Sequence, residues 1–403
     1  MSEFSKLAQQ AMLQTQESLQ EIGRKQQKLY IGIPKELSHQ ENRVPLTPLS
    51  VGLLVEHGHR VVLESGAGAR SNFQDRHYSE VGAEIAYGPE EVYKAELLIK
   101  IAAPTLAEIE WMKSGQTLLS CQPPAYLETA CLQALMKKKV TALSYEYLRD
   151  EGGTLSVVRA MGEIVGTTSV LIAAEYLSNV FEGKGLMLGG ITGVPPTEMV
   201  IIGAGTVGEF AARAALALGA QVKVFDRSLH KLRRLQSNVG SRVYTSVIQP
   251  VVLKKAVMSS DVVIGAVRSN HGRSPCLINE ETVSRMKPDS VLIDVSIDQG
   301  GCFETSEVTS HDQPIFRKYD VIHYCVPNIA SRVARSATYA LTNIFTPILV
   351  DIADSGGLNN LIWKKPGVRN AVYLYQGHLT NQDIAERFDL PLKSLELLAM
   401  AKN

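Results

Sequence analysis

The chain has 403 residues, which is enough for two or three domains that each have a core. Its 41 basic residues balance its 41 acidic residues, and this balance argues against nucleic acid or a membrane surface as a partner. Hydrophobic residues make up 45% of the chain, as is normal for globular proteins, and no apolar run reaches the length of a membrane span.

The polar segment of residues 1–27 is expected to form an appended helix. Leu7, Ala11, Met12 and Leu19 give it a weak apolar stripe among Gln and Glu residues. The pattern fits either a frayed or disordered extension or a helix that packs on a partner subunit. The segment does not resemble a signal peptide, so we expect a cytoplasmic protein. The five cysteines agree with this, because they form no CxxC pair and favour buried reduced thiols over disulfides or a metal site.

From residue 28, short β-rich segments alternate with helical patterns. The predicted strands are LYIGI (29–33), RVVLE (60–64), LLIKI (97–101), TLLSC (117–121) and VTALSY (140–145). The predicted helices between them cover residues 48–59, 105–113 and 128–139. Such alternation is typical of βαβ units in a parallel sheet, where ligands lie beyond the carboxyl ends of the strands.

An apolar pattern at residues 157–178 predicts a long buried helix that leads into a second domain. The alternation then resumes. The predicted strands are residues 199–203, 221–225, 262–267, 290–295 and 320–326. A second long helix, residues 330–353, is expected to return the chain to the first domain, and the tail after it is expected to be loop and short helices.

The strongest motif is the G-x-G-x-x-G of Gly203, Gly205 and Gly208. A strand precedes it, an Ala-rich helix follows, and the next strand ends in Asp226, which is the full context of a dinucleotide-binding turn. The glycines permit the tight turn, the approach of a pyrophosphate and close helix–strand packing. Asp226 is placed to accept from ribose hydroxyls and favours NAD over NADP, a preference that Arg227 could soften. The residues expected to bind the cofactor here are Gly203, Gly205, Thr206, Val207, Gly208, Asp226 and Arg227.

Several longer motifs stand out along the chain: IGIPKE (31–36), ENRVPLTP (41–48), LGGITGVPP (188–196), VIIGAGTVG (200–208), IDVSIDQGGCFETS (293–306), HYCVPNIASRV (323–333) and TYALTN (338–343). Together they resemble the motifs of the alanine dehydrogenase and nicotinamide nucleotide transhydrogenase family, and those of alanine dehydrogenase most. The resemblance runs from about residue 28 to residue 400. It implies NAD as the cofactor, reversible oxidative deamination of L-alanine to pyruvate, and a homo-oligomer, either a dimer or a hexamer.

The predicted fold is α/β, with two Rossmann-like doubly wound parallel-sheet domains joined by two long helices. We expect residues 28–156 and 334–403 to form a discontinuous substrate domain. Residues 157–333 are expected to form the NAD-binding domain. The helical extension of residues 1–27 precedes both.

Residue by residue, the resemblance implies roles for positions on the cleft side of the sheets. Arg43 matches an arginine that grips the substrate carboxylate, a task that suits a guanidinium fork. Asp298 would order the substrate amine or water, and Asn328 would bond the nicotinamide carboxamide or ribose. Lys100 matches the first lysine of the family's LKVKEP segment. The resemblance also places Gly265, Ala266, Val267 and Met161 beside the nicotinamide and its ribose.

Two positions depart from the family pattern. Ala102 stands where the family has its second substrate lysine, and Pro123 stands where it has its catalytic histidine. The strand tip with Pro123 is closer to the QPA sequence of the transhydrogenase domain, which needs no acid–base pair for a substrate. A replacement acid must reach the transferred proton. The candidates for that task are His271, Lys100 and Asp298.

The leading interpretation is an NAD-dependent dehydrogenase that transfers hydride between NAD(H) and a small 2-amino or 2-keto acid, which would be its partner molecule. Loss of a positioned acid–base group typically removes a factor of roughly 10² to 10⁴ in rate. The replaced lysine and histidine therefore leave two alternatives open. One is a non-catalytic NAD(H)-binding protein, and the other is a transhydrogenase-like domain.

Overall fold

The computed structural model describes residues 27–38, 40–121, 128–269 and 273–400, without the side chains of residues 399 and 400. Most of the expected extension, Pro123 and His271 lie outside these described residues. The strands are β1 (Tyr30–Ile33), β2 (Arg60–Glu64), β3 (Glu84–Ala86), β4 (Leu97–Ile99), β5 (Thr117–Ser120), β6 (Thr141–Ser144), β7 (Glu198–Ile202), β8 (Gln221–Asp226), β9 (Tyr244–Val247), β10 (Val262–Gly265), β11 (Val291–Asp294), β12 (Ile315–Lys318), β13 (Val321–Tyr324), β14 (Val372–Tyr375) and β15 (His378–Leu379).

The helices lie between the strands and at the domain junctions. They are α1 (Pro48–Glu56), α2 (Asp75–Ser79), α3 (Pro89–Val92), α4 (Leu106–Trp111), α5 (Thr129–Lys137), α6 (Ser156–Leu177), α7 (Thr206–Ala217), α8 (Leu229–Val239), α9 (Pro250–Ser259), α10 (Glu280–Val283), α11 (Ala334–Asp354), α12 (Leu358–Lys364), α13 (Pro366–Arg369), α14 (Gln382–Phe388) and α15 (Leu395–Met400). Short 3₁₀ helices at Tyr145–Tyr147, Ile297–Gln299 and Ile329–Val333 follow β6, β11 and β13.

Two sheets organise the described residues. The first has the order β15-β14-β6-β5-β4-β1-β2-β3, and the second has the order β12-β13-β11-β10-β7-β8-β9. All neighbouring strands pair in parallel except those that involve β12, β14 and β15. Apolar side chains cover both faces of each sheet. The predicted α/β fold with two Rossmann-like domains is confirmed, and each of the ten predicted strands is present.

The tail differs from the expectation of loop and short helices, because it adds two strands to the first sheet. Leu374 pairs with Leu379 and Tyr375 with His378, so that two residues connect the strands. Gln376 and Gly377 both have positive φ, of 50° and 80°. These dihedrals are typical of a type I′ hairpin turn. The buried VYLY segment of β14 then pairs with β6 and extends the sheet.

The long helices join the two domains. Val157 near the start of α6 packs in the core of the first domain, and Val170 further along packs in the core of the second. Among the described helices, α6 is the one long and apolar enough to cross a membrane by length and composition. Its packing in both cores accounts for that composition. A Cβ on Gly166 of α6 would lie 2.4 Å from the Val207 carbonyl oxygen, so this glycine lets α6 approach the first turn of α7.

Candidate active site

The glycine motif forms the turn between β7 and α7. Gly203 has a φ of +114°, and a Cβ there would lie 2.3 Å from the carbonyl oxygen of Ala266. A Cβ on Gly208 would lie 1.8 Å from the Gly203 carbonyl oxygen, so neither glycine admits a side chain unless the backbone moves. A Cβ on Gly205, by contrast, would meet nothing within 4 Å. The space above Gly205 therefore fits a pyrophosphate, which the N–H groups of Thr206, Val207 and Gly208 can bind.

Asp226 closes this turn at the end of β8. Its carboxylate accepts 2.7 Å hydrogen bonds from the backbone N–H groups of Ala204 and Ser228. Because a carboxylate oxygen can accept two hydrogen bonds, both oxygens retain capacity for a ribose hydroxyl. Arg227 is exposed beside it. Arg234, which the sequence motif did not indicate, donates from Nη2 to the Ala204 carbonyl oxygen at 3.2 Å and brings a second cation to the turn.

The loop after β10 runs beside the glycine turn. The N–H of Ala266 donates to the last residue of β7 at 2.7 Å, and the N–H of Val267 donates to Ser296 Oγ at 3.0 Å. A Cβ on Gly265 would lie 2.3 Å from the sulfur of Cys302. These contacts hold the loops after β7, β10 and β11 together at the carboxyl edge of the second sheet. Ligands of such sheets bind at this edge.

Arg43 lies in a segment that hydroxyl groups fix in place. The N–H of Asn42 donates to Ser331 Oγ at 2.8 Å, and the N–H of Val44 donates to Thr338 Oγ1 at 3.2 Å. Ser331 belongs to the 3₁₀ helix after β13, and Thr338 belongs to α11. The position of Arg43 is therefore set by elements nearly 300 residues away in the chain.

Arg43 is buried and paired with the carboxylate of Glu41. Nε donates to Oε1 and Nη2 donates to Oε2, both at 2.7 Å. Only 8% of Arg43 and 5% of Glu41 is exposed. Burial raises the pKa of Glu41, but the charge and hydrogen bonds of Arg43 outweigh burial and hold the pKa below its ordinary value. Burial lowers the pKa of Arg43, and Glu41 more than reverses this, so the pair is ionised at neutral pH.

One edge of the guanidinium is directed away from Glu41. Glu41 uses the Nε hydrogen and one hydrogen of Nη2, so the other hydrogens lie on Nη1 and on the outer side of Nη2. Nη1 contacts the sulfur of Met161 at 3.3 Å. A thioether is a weak acceptor that a carboxylate can displace. Arg43 can thus bind a second carboxylate end-on while Glu41 holds it from the side.

Asn328 connects the second domain to this pair. It has a left-handed φ of 61°, and its Nδ2 donates to Glu41 Oε2 at 2.9 Å. The neighbouring Gln40 accepts the backbone N–H of His311 at 2.8 Å, and the ring of His311 hydrogen bonds to the backbone of Asn328. Neither Glu41 nor His311 was among the predicted site residues. Glu41 had a usable sequence signal, since an acid two residues before a candidate site arginine is a natural partner for it.

Asp298 lies close to a second carboxyl group, that of Glu146. Asp298 is in the 3₁₀ helix after β11, and Glu146 is in the 3₁₀ helix after β6. Glu146 is half-buried and Asp298 is exposed at the mouth of the cleft; the partial loss of water there raises the pKa of both groups, and the positive charge of Arg268 opposes this in both. Glu146 also interacts with Arg43, and its carboxyl group lies within hydrogen-bonding reach of the Cys121 thiol. Glu146 and Arg268 were likewise missing from the predicted site.

The prediction that Lys100 acts in the active site needs a correction, because the Lys100 side chain is not directed into this cleft. Its ammonium donates to Glu108 at 2.6 Å and to Glu36 at 3.3 Å, and only 1% of the residue is exposed. Burial lowers the pKa of Lys100, but the two carboxylates outweigh it and raise the pKa. The N–H of Ala102 also donates to Glu36, at 3.3 Å. Lys100 is thus a structural cation beneath the strand end rather than a group that can reach a substrate.

The fold and the cleft place this chain in a class of proteins, the NAD-dependent oxidoreductases with two Rossmann-like domains. Residues 32–165 match the family model of the alanine dehydrogenase/PNT N-terminal domain, and residues 169–382 match that of the C-terminal domain. The chain belongs to the alanine dehydrogenase/PNT family. Its cofactor is NAD(H), and the open turn above Gly205 fits that molecule.

Similar proteins include alanine dehydrogenases from several organisms. The alanine dehydrogenase of Mycolicibacterium smegmatis is 38% identical over 90% of this chain and 98% of its own length. That of Bacillus subtilis is 39% identical over 89% of this chain and 94% of its own length. A solved L-alanine dehydrogenase superposes with a TM-score of 0.84 at 35% identity, covering 89% of this chain and 99% of its own. A transhydrogenase from Sinorhizobium meliloti shares the fold, with a TM-score of 0.74 at 22% identity.

Proposed function

We propose that this NAD-dependent oxidoreductase interconverts a small 2-amino acid and the corresponding 2-keto acid. The observation that supports this most is the Arg43–Glu41 pair. A buried arginine held from one side, with its other edge toward the cleft, suits the end-on binding of a substrate carboxylate. The similarity to alanine dehydrogenases makes L-alanine and pyruvate the first substrates to test.

In this proposal different residues of the chain bind and position the substrate and the cofactor. Bound NAD(H) would supply the hydride chemistry at the substrate α-carbon. Arg43 would hold the substrate carboxylate, and Asn328, which donates to Glu41, would orient the nicotinamide end of the cofactor. Asp298 orders the amine or a water molecule in the same cleft. Gly203, Gly205, Gly208 and Asp226 hold the dinucleotide.

A direct experiment tests this function. Purified protein is mixed with NADH, ammonium and pyruvate, and then with a panel of other 2-keto acids, while the absorbance of NADH is followed. We expect turnover with at least one small keto acid and loss of most of it in Arg43→Ala. If NADH binds and no acid is reduced, the dehydrogenase proposal fails.

That failing result would favour a second candidate, an NAD(H)-binding protein without substrate chemistry. Ala102 supports this candidate, because it offers no side-chain cation where the family has a lysine, and Lys100 is bound by two buried carboxylates. Binding of NADH alone, measured by fluorescence, would then be the protein's activity.

We also propose that the chain forms a homo-oligomer through the second domain and the long helices. Large apolar side chains are exposed there, among them Val180 at 81%, Met187 at 67% and Ile191 at 64%. Patches of this kind are typical of subunit contacts. Light scattering of the purified protein would distinguish a dimer or hexamer from a monomer, and a monomeric mass would overturn this proposal.

A further inference from the structure

Glu146 occupies a position next to the strand end that lacks the family's histidine. β5 and β6 are neighbours, and Ser120 of β5 pairs with Ser144 of β6. Cys121 and Tyr145 therefore leave the sheet side by side, and Glu146 follows directly. Tyr145 is fixed by a 2.7 Å hydrogen bond from its hydroxyl to the Ile101 carbonyl oxygen. Glu146 thus lies at the cleft in the 3₁₀ helix after β6, and the hydrogen bond of Tyr145 fixes this helix to the sheet.

The charged groups around Glu146 come from both domains. Arg43 and the Cys121 thiol approach from the first domain, and Arg268 and Asp298 approach from the second. Among the described residues, Glu41, Glu146 and Asp298 bring three carboxyl groups to this cleft, against the guanidinium groups of Arg43 and Arg268. If all were ionised the excess would be one negative charge, and a substrate carboxylate would add another. Protonation of one carboxyl group cancels one of these two negative charges, so an anionic substrate favours a proton in this cleft.

Glu41 is not the group that takes this proton, because Arg43 binds both of its oxygens. Glu146 is only partly buried, and Cys121, the last described residue after β5, brings a thiol beside it. Arg268 is exposed toward the cleft and close enough to act on Glu146. A guanidinium in this place stabilises the carboxylate that forms when Glu146 gives up its proton.

We propose that Glu146 is the acid–base residue of the reaction and that Arg268 stabilises its ionised form. This inference rests on the proposed function. When an amino acid is formed, the hydroxyl of the carbinolamine takes the proton of Glu146. Its C–O bond breaks, water leaves, and the nitrogen lone pair forms the C=N bond of the iminium ion. Glu146 is then a carboxylate, so charge is conserved. In the reverse direction water adds to the iminium carbon and the Glu146 carboxylate takes its proton.

The test compares Glu146→Gln with Glu146→Asp and with Glu151→Gln, an exposed glutamate that serves as the matched control. We expect Glu146→Gln to lower kcat by roughly 10² to 10⁴, as is typical for a general acid. Glu146→Asp should restore part of the rate, and Glu151→Gln should match the wild type. The affinity for NADH, measured by fluorescence, should be unchanged in all three, which shows that the variants are folded.

The pH profile separates a proton-transfer role from a structural one. Amino-acid formation requires protonated Glu146, so the wild-type kcat should fall as pH rises through the raised pKa of this residue. Glu146→Gln should lose that descending limb. Arg268→Met should move the limb to higher pH, because the carboxylate loses its stabilising cation.

Three other results would overturn the inference that Glu146 is the acid–base residue. If Glu146→Gln keeps a rate within about twofold of the wild type and the same pH profile, Glu146 is not the acid. If His311→Gln abolishes the limb and Glu146→Gln does not, the role belongs to His311. If the wild type turns over no keto acid at all, the dehydrogenase proposal and this inference fall together. The first two results, in contrast, contradict only the role of Glu146 and leave the dehydrogenase proposal unaffected.

Discussion

The Glu41 carboxylate binds the Nε–Nη2 edge of the Arg43 guanidinium through two 2.7 Å hydrogen bonds, only two residues away in the chain. The same carboxylate accepts from Asn328 of the second domain. Glu41 therefore fixes the direction of the arginine and ties the expected substrate and nicotinamide groups together across the cleft. The arrangement requires a planar group with two usable edges, which arginine has and lysine lacks.

Arg43→Lys should therefore be far from conservative. The lysine ammonium can pair with Glu41 or with the substrate, but it cannot offer each of them a pair of parallel N–H donors at the same time. We expect the KM for the keto acid to rise at least about tenfold, a loss of about 1.4 kcal/mol in binding, while the affinity for NADH is unchanged. Steady-state kinetics and NADH fluorescence titration measure the two quantities. An unchanged KM would show that Arg43 does not hold the substrate.

The glycine turn makes a contrasting prediction about two neighbouring positions. Gly208→Ala would place its Cβ 1.8 Å from the Gly203 carbonyl oxygen, so the turn must move and both stability and NADH affinity should fall. Gly205→Ala meets nothing within 4 Å in the protein, and its φ of −75° suits alanine. The melting temperature of Gly205→Ala should stay near that of the wild type.

The affinity of Gly205→Ala for NADH should nevertheless fall by about tenfold or more, because its methyl group occupies the space of the pyrophosphate. Thermal melts and NADH titrations of both variants provide the comparison. Gly240→Ala, a change at the end of α8 where the Cβ also meets no atom, controls for the loss of a glycine, although its φ of 74° adds strain. Tight NADH binding by Gly205→Ala would place the cofactor elsewhere.

The nucleotide turn could be predicted from the sequence because its geometry is local. The steric limit at Gly208 arises within the turn itself, from the Gly203 carbonyl oxygen, and the motif records it directly. The limit at Gly203 comes from Ala266, which follows the neighbouring strand β10. The strands at the sheet edges were harder to predict from the sequence. β9 and β12 are only partly buried, so neither shows the continuous apolar run that marked the central strands. The β14–β15 hairpin was missed although Gln376 and Gly377 supply its turn.

The cleft itself could be predicted only in part. Arg43, Asp298 and Asn328 were proposed through a family resemblance. Glu41 lies two residues from Arg43 and had a local signal, whereas the approach of Glu146 and Arg268 is set by how the two domains meet. The direction of Lys100 was also beyond the sequence, since a strand end does not reveal on which face its side chain finds a carboxylate. Two acids, Glu36 and Glu108, decide that question, and they come from separate segments.

Lys100→Met gives a test of that structural role. The substitution leaves two buried carboxylates without their cation, and removal of one partner of a buried ion pair costs about 3–5 kcal/mol. We expect the free energy of unfolding to fall by about this amount, and a second change, Glu108→Gln, to restore part of it. Urea denaturation measures both. If Lys100→Met were as stable as the wild type but inactive, Lys100 would be a catalytic group after all.

The titration of Glu146 predicts a pH-dependent gain in stability for Glu146→Gln. Limited hydration raises the pKa of Glu146 above its ordinary value of 4.5, so the folded protein holds this proton more tightly than the unfolded chain. The wild type therefore loses stability as pH rises from about 4.5 through the raised pKa, because the folded state must then carry the carboxylate. Glutamine has no such titration. The variant should match the wild type most closely at low pH and become the more stable of the two as pH rises.

Melting temperatures of wild type, Glu146→Gln and the control Glu151→Gln, measured from pH 5 to pH 9, provide this test without any enzyme assay. The melting temperature of Glu146→Gln, relative to that of the wild type, should increase with rising pH. The melting temperature of Glu151→Gln relative to the wild type should not change with pH, because residue 151 is exposed. A constant difference at Glu146 would mean that its carboxyl group titrates at its ordinary pKa. Such a residue would be ionised throughout the neutral range and could not supply the proton that carbinolamine dehydration requires.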